Sequence, residues 1–512
     1  MKKLTALFLV IVMALTVAVV TASAVDYAEP FAPGTMGSKT YRIPGIWTLN
    51  NGGVFAVADM RYDHGSDSPN NIDILFAKSE DGYKEWSYSM PNYFGDYADT
   101  VTDTNSASFI DSAVAQSSTG RIFVVSDVCP SGGGYWKAQK GTGFVDVNGK
   151  NYLLLTSGDY TASLDTFAYY MGDFVDGVAT VYNRADNTAT AYTVDENLDL
   201  YKNGKVLTME QVGGEGKIVN QNIFYSASEL TCYLTTYLVL RTSDDLGETW
   251  NAPVFLSAQI KKDNEGFLGI GPGRGFVTEV DGKERVIFCV YDNVGNGATE
   301  HNENVSTIYS DDDGITWKRG AETKCRLFVI KTSEAQIVEL GDGTLRMFAR
   351  NKGRYISYAD STDGGHSWSR FRSDLDLPSN ANCMMSFINA EVNGQQFVLG
   401  SYTSNKRNRA DGIIKVGVVD GNDIKWVNTY NINDGFFAYS CLTQLADGKI
   451  AMLYEDEAAK VSYMILTLGE DGSLTEINGN NYEGEPSVPF VEKLTRAFFY
   501  LVDGLLEIFD LI

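Results

Sequence analysis

The chain has 512 residues, of which 44% are hydrophobic and 12% aromatic, with 50 Gly and 29 Tyr. That is enough to bury a large core, and it calls for many turns. A formal net charge of −25 argues against nucleic acid as a partner, since phosphate binding needs basic surface. It also means that an anionic ligand must be drawn in by a local cluster of cations working against the global field.

The first 24 residues read as a secretory signal peptide. Lys2 and Lys3 precede an apolar run from Leu4 to Val20, and Ala22-Ser23-Ala24 forms a small-residue cleavage site. The expectation is export with cleavage after Ala24, giving a secreted, extracellular protein. No later segment is apolar enough to span a bilayer, so no transmembrane segment is expected in the mature chain. Export permits disulfides, and six Cys is an even number. Yet Cys232, Cys289 and Cys441 sit inside apolar, strand-like runs, where a cysteine is usually a small buried hydrophobe. Mostly free thiols are expected.

From residue 40 onward short strands alternate with turns: GGVFAVADMR, NIDILFAKS, GRIFVVSDV, RVIFCVYDN, TLRMFARN, QQFVLGSYTS, IIKVGVVD and KIAMLYED. None has a helix's length or a sustained period near 3.6, so the fold class is all-β. An acidic octet punctuates them as SEDGYKEW (79–86), SDDLGETW (243–250), SDDDGITW (310–317) and STDGGHSW (361–368). Ser and Asp side chains in such a stretch can bond backbone amides across a turn. The Gly can take positive φ, and the Trp can fold back onto the strands. A calcium loop would need alternating ligands and a Glu at a fixed distance, an array the octets lack. The octet is read as a structural turn.

The octets begin 164, 67 and 51 residues apart. The last two gaps suit one four-stranded propeller blade each, and the first requires an insertion. Residues 150–230, rich in Tyr, Thr, Asp and Gly, are assigned to a small inserted β subdomain. Its aromatics would suit a carbohydrate, although a purely structural insert is the simpler reading. In the tail, Glu492, Arg496, Asp503, Glu507 and Asp510 recur at near-helical spacing among apolar residues, predicting an amphipathic helix over 486–512. Three His and the absence of CxxC, HExxH and GxxxxGK[ST] patterns leave zinc and P-loop chemistry unsupported. No cofactor and no metal site are expected.

If the octets mark outer turns, chemistry belongs on strand ends near a central axis. YRIP (41–44), RYDHGSD (61–67), SEAQ (333–336), FARN (348–351), FAYSCL (437–442) and LYED (453–456) stand out there. YRIP together with several SxDxGxTW octets resembles the bacterial sialidase (neuraminidase) family, six-bladed β-propeller exo-α-glycosidases that remove terminal sialic acids. The resemblance covers nearly the whole mature chain to about residue 470 and implies a catalytic propeller over 25–485.

The resemblance assigns the substrate carboxylate to Arg42, Arg350 and Arg409, with Arg407 an alternative to Arg409 in the same stretch. Guanidinium forks suit a carboxylate because each donates two parallel hydrogen bonds and stays charged. Tyr439 matches the nucleophile and Glu334 the base that activates it. Sialic acid carries a carboxylate on its anomeric carbon, so a carboxylate nucleophile would meet like charge. A phenol avoids that repulsion but needs a base, its pKa being near ~10. Sialidases with a Tyr nucleophile are a known exception to the two-carboxylate scheme. Asp67 matches the general acid/base, with Asp63 four residues away as the residue it could be confused with. Glu455 matches the partner that orients the first arginine, and Arg61 and Asp111 match positions near the sugar's hydroxyl and N-acyl side. The implied partners are sialylated glycans. The same residues would serve hydrolysis, transfer to a sugar acceptor, or transfer to the sialyl group's own hydroxyl. A non-catalytic sialic-acid-binding propeller would keep the arginines without needing Asp67, Glu334 and Tyr439 together.

Overall fold

The computed structural model describes residues 27–477 apart from position 63 and segments 96–105, 212–215, 298–302, 326–330, 379–380 and 458–459. The expected signal peptide, the tail helix and Asp63 therefore lie outside the described residues. The described chain is almost entirely β, with one single-turn α-helix at Ser257–Ile260 and two short 3-10 turns. No helix among the described residues is long and apolar enough to cross a membrane.

Three consecutive four-stranded antiparallel meanders occupy Ala335–Pro378, Ser386–Phe436 and Ser440–Glu476. A five-stranded sheet over Glu265–Arg319 precedes them, and a nine-stranded sheet begins the described chain at Thr40–Thr48. Within that large sheet, the meander Thr40–Asn92 joins the next strands through a single parallel pair, Ile72 opposite Ser108. First strands of neighbouring sheets touch one another, and the strand Thr40–Thr48 packs on Ser440–Gln444, so the last sheet meets the first. Thr48 N and Thr443 Oγ1 bond at 3.1 Å across that junction. The arrangement is propeller-like.

Packing explains why the strands read as nearly continuous apolar runs. Each sheet is covered on both faces by its neighbours, so both side-chain sets of a strand are buried. Every residue of Val54–Arg61 and of Ile122–Cys129 is buried. The closure between first and last sheets is itself an apolar layer, with Tyr41, Ile46, Val54 and Leu75 against Leu453, Val461 and Ile465.

The octets are turns. In the three intact copies the same staple recurs. Ser243, Ser310 and Ser361 Oγ accept from the backbone N–H of Gly247, Gly314 and Gly365 at 2.8–2.9 Å. Asp245, Asp312 and Asp363 Oδ1 accept the N–H of Thr249, Thr316 and Ser367 at 2.8–2.9 Å. Each Gly has φ between +82° and +86°, which a β-carbon would penalise. The indole N–H of Trp317 donates to Gly314 O at 3.1 Å. In the worn first copy, Gly82 N still bonds Ser79 Oγ at 3.0 Å, and Asp81 Oδ1 takes Tyr83 N at 2.8 Å.

Between strand Ile122–Cys129 and its antiparallel partner Tyr237–Ser243 the chain leaves the large sheet and builds a separate eight-stranded sheet. That sheet runs from Phe144–Val147 through Lys205–Val206 and takes in Thr231–Cys232. None of the six cysteines forms a disulfide, and five of them are buried.

Candidate active site

The functional side chains project from strand ends on one side of the ring. Strand Thr40–Thr48 carries Arg42, and the register breaks between Arg42 and Gly45, with Ile43 at φ 53°. Strand Ser108–Gln116 breaks in the same way around Asp111, at φ 52°. Both left-handed residues line one cavity. Bulges of this kind re-aim a side chain at a sheet edge and concentrate at functional sites.

That cavity brings together Arg42, Asp67, Asp111, Glu334, Arg350, Arg409 and Tyr439. At its floor the Tyr439 hydroxyl donates to Glu334 Oε1 at 2.6 Å. Arg350 Nη1 reaches both members, 2.6 Å from Glu334 Oε2 and 2.9 Å from the Tyr439 hydroxyl. The Arg42 and Arg409 guanidinium carbons lie 5.8 and 5.4 Å from the Tyr439 ring centre. All three arginines thus gather around one phenol. Arg407 is exposed and lines nothing here, which separates it from Arg409.

Two expected residues stand behind the wall rather than in it. Arg61 has no solvent exposure; it bonds Asp59 Oδ2 and Asp67 Oδ1, each at 2.7 Å. Glu455, also buried, accepts from Arg42 Nε at 3.1 Å and from Ile43 N at 3.0 Å. Glu455 thus fixes the Arg42 cation, and Arg61 holds the Asp67 carboxylate. Asp67, largely exposed, bridges Arg61 and Arg42, at 3.3 Å from the latter.

The electrostatics follow from these contacts. Burial, and then the Glu334 carboxylate, raise the Tyr439 phenol well above its ordinary range, so it is protonated at rest. Burial also raises Asp111 well above the carboxylate range, with Asp59 adding to it. Desolvation pushes Asp67 up, but Arg61 and Arg42 more than offset this and hold it below its ordinary value. Asp59 is pushed up to about 6 by burial despite its ion pair with Arg61. Among the described residues Arg409 has no ion-pair partner, which leaves a cation for a ligand.

Sequence reasoning missed part of the site. Asp59 joins Arg61 to the Asp111 amide, whose N–H it accepts at 3.0 Å. Asp127 lines the floor and takes Ile270 N at 2.8 Å. Tyr135, Trp136, Phe267, Tyr291 and Glu303 form the far wall. The Tyr-Trp pair after SGGG (131–134) was a visible signal, since aromatics on a Gly-rich loop are seldom there for packing alone. Elsewhere Glu265, Asp292 and Glu322 stand close enough to share a cation. Arg319 already bonds Glu265 at 2.7 Å and also pairs with Asp292, so the group is an ion-pair network.

Residues 216–452 match the BNR repeat-like domain. The chain is 32% identical over 465 residues to the anhydrosialidase of Macrobdella decora, covering 83% of this chain and 59% of that protein. It is 31% identical over 469 residues to sialidase B of Streptococcus pneumoniae, covering 81% and 61%. Among solved structures, the intramolecular trans-sialidase from Ruminococcus gnavus superposes with a TM-score of 0.76 at 30% identity, covering 88% of this chain and 99% of that one. The chain belongs to the bacterial sialidase family. This sialidase-family chain spans about six tenths of the length of the two curated relatives. Its grouping of cations around a phenol and a carboxylate suits an anionic ligand.

Proposed function

We propose that the protein is a secreted exo-α-sialidase that cleaves terminal sialic acid from glycans with retention, through a covalent sialyl-tyrosine. The observation that carries this is the Tyr439–Glu334 bond of 2.6 Å inside a ring of three arginines. In the proposed sequence Arg42, Arg350 and Arg409 hold the substrate carboxylate and set the anomeric carbon over Tyr439. Glu334 takes the phenol proton as the oxygen attacks that carbon, and Arg350, already touching both groups, steadies the charge that develops. The glycosidic bond breaks as Asp67 protonates the leaving oxygen. A water then gives its proton to Asp67 and its oxygen to the anomeric carbon, and Tyr439 recovers its proton from Glu334.

Asp67 is held ionised in the resting site by Arg61 and Arg42. A substrate carboxylate arriving on Arg42 competes for that cation. The Asp67 carboxyl then rises toward the protonated form its role requires. We also read the nine-stranded sheet as two blades sharing an edge, which brings the propeller to six.

A second reading keeps every residue and changes the acceptor. A hydroxyl of the sialyl group itself attacks the anomeric carbon and gives an anhydro sugar. Similarity at about 30% identity to an anhydrosialidase and to an intramolecular trans-sialidase favours considering it. Incubation with sialyllactose and identification of the released sugar tests both. Free sialic acid supports hydrolysis, an anhydro sugar supports the internal route, and no release of either overturns the sialidase reading.

A further inference from the structure

The acid carboxylate of the proposed scheme is gripped by two cations, and each cation has a buried anion behind it. Arg61 Nη1 lies 2.7 Å from Asp67 Oδ1, and Arg42 Nη1 lies 3.3 Å from the same oxygen. Both guanidinium groups also donate to Gly65 O, at 2.7 and 3.2 Å. On its far side Arg42 meets Glu455. On its own far side Arg61 meets Asp59, whose Oδ2 is 2.7 Å from Nη2. Asp59 has no solvent exposure, and its other oxygen accepts the Asp111 N–H at 3.0 Å. Glu455 orients an arginine of the substrate site, whereas Asp59 has no task in the scheme.

A general acid must hold a proton when the glycosidic bond breaks. A guanidinium at 2.7 Å opposes that, because it favours the ionised carboxylate. Arginine cannot give up its own charge, so its hold weakens when a second anion shares it. Asp59 is that anion: one cation stands between two carboxylates, one sealed in the sheet and one at the cavity mouth. Among the described residues no other carboxylate bonds Arg61. The two acids are linked, since the Asp67 charge raises Asp59, and by reciprocity the Asp59 charge raises Asp67. The other charged groups facing Asp59 are Arg42, Asp111 and Asp127. Arg409 also faces Asp67 and favours its ionised form.

We propose that Asp59 is a positioning residue for the acid: it draws the Arg61 guanidinium onto itself, so that Arg61 orients Asp67 without locking it as a carboxylate. The assignment rests on the reading of Asp67 as the acid given above. Asp59 does not line the cavity and acts only through Arg61.

Asp59→Asn keeps an oxygen for the Asp111 amide and removes the counter-charge. The experiment compares kcat/KM on sialyllactose, whose leaving group needs a proton, with that on an aryl sialoside, whose leaving group does not. It starts at pH 7, above the value of about 6 to which burial pushes Asp59, so the wild-type counter-charge is present. The variant should lose about tenfold or more on sialyllactose, the effect of a pKa unit on the acid, and less than about threefold on the aryl sugar. The sialyllactose deficit should shrink toward about pH 5, where Asp59 is protonated in wild type too. A merely structural role would lower both substrates together at every pH. Made in an Arg61→Met background, where no buried cation is stranded, Asp59→Asn should change the ratio of the two substrates by less than about twofold. No loss, equal losses on both substrates, a deficit independent of pH, or an undiminished effect in the Arg61→Met background overturns the role of Asp59. Asp67→Asn checks the reading beneath it: if that variant also loses equally on both substrates, the acid assignment falls and this one with it.

Discussion

The Tyr439 hydroxyl and Glu334 Oε1 lie 2.6 Å apart, although 105 positions separate the two residues in the chain. The phenol is buried and held protonated, so the pair works as nucleophile and base only if the proton crosses this bond during attack. Tyr439→Phe removes the attacking oxygen and keeps the ring that Arg42 and Arg409 face. Turnover of sialyllactose should fall by about 10³-fold or more, while calorimetric binding of sialic acid changes by less than about fivefold. Glu334→Gln should cost about 10²–10⁴-fold. Near-normal release of sugar by the Phe variant would sink the mechanism.

Asp67 offers a test that separates acid catalysis from binding. Its carboxylate touches Arg61 at 2.7 Å and is otherwise largely exposed, so Asp67→Asn preserves shape and removes the proton. A phenolic leaving group departs without protonation, whereas a sugar alkoxide does not. The variant should lose about 10²–10³-fold on sialyllactose and far less on an aryl sialoside, with a flatter pH profile on the natural substrate. Equal losses on the two substrates would remove Asp67 from the acid role.

What the sequence disclosed and what it withheld differ by range. The octets and YRIP are contiguous, and their chemistry is local: a Ser, an Asp and a Gly close one turn whatever surrounds it. Even so, three aspartates in SDDDGITW look alike in sequence, yet only Asp312 staples the turn, while Asp311 pairs with Arg285 and Asp313 faces Arg121. Asp59 was readable in principle, since it and Arg61 share a strand face at a period of two. Their ion pair follows from that spacing. Glu303, Tyr135 and Phe267 were not readable. They meet because sheet closure brings a loop and two strands to one axis, and none sits in a motif.

The staple itself predicts a separation of stability from activity. Asp312 accepts from Thr316 N at 2.8 Å and Thr316 Oγ1 at 2.6 Å, and no octet residue lines the cavity. Asp312→Ala should lower stability by about 1–3 kcal/mol and leave kcat/KM for sialyllactose within about twofold. Because the turn is closed by side-chain oxygens on backbone amides, EDTA should leave the wild-type Tm unchanged. A Tm lowered by chelation and restored by calcium would replace the turn reading with a metal loop.

Lys261 carries a charge where the fold has little room for one. It is buried, and its Nζ donates to Thr235 Oγ1 at 2.5 Å, Thr236 O at 2.8 Å and Gly266 O at 3.0 Å. Burial lowers its pKa to about 7, with Glu265 opposing the shift. In the unfolded chain a lysine titrates near ~10.4, so between about pH 7 and that value the unfolded state binds more protons than the native state. Stability therefore rises with pH across this window. From pH 7 to pH 9 the gain from this one group is about 2 kcal/mol. Lys261→Met has no proton to exchange, so the stability difference between wild type and variant should grow in favour of wild type as pH rises. Denaturant melts at pH 7, 8 and 9 measure it. A difference independent of pH would mean that the three oxygens around Nζ keep the ammonium charged at its ordinary pKa.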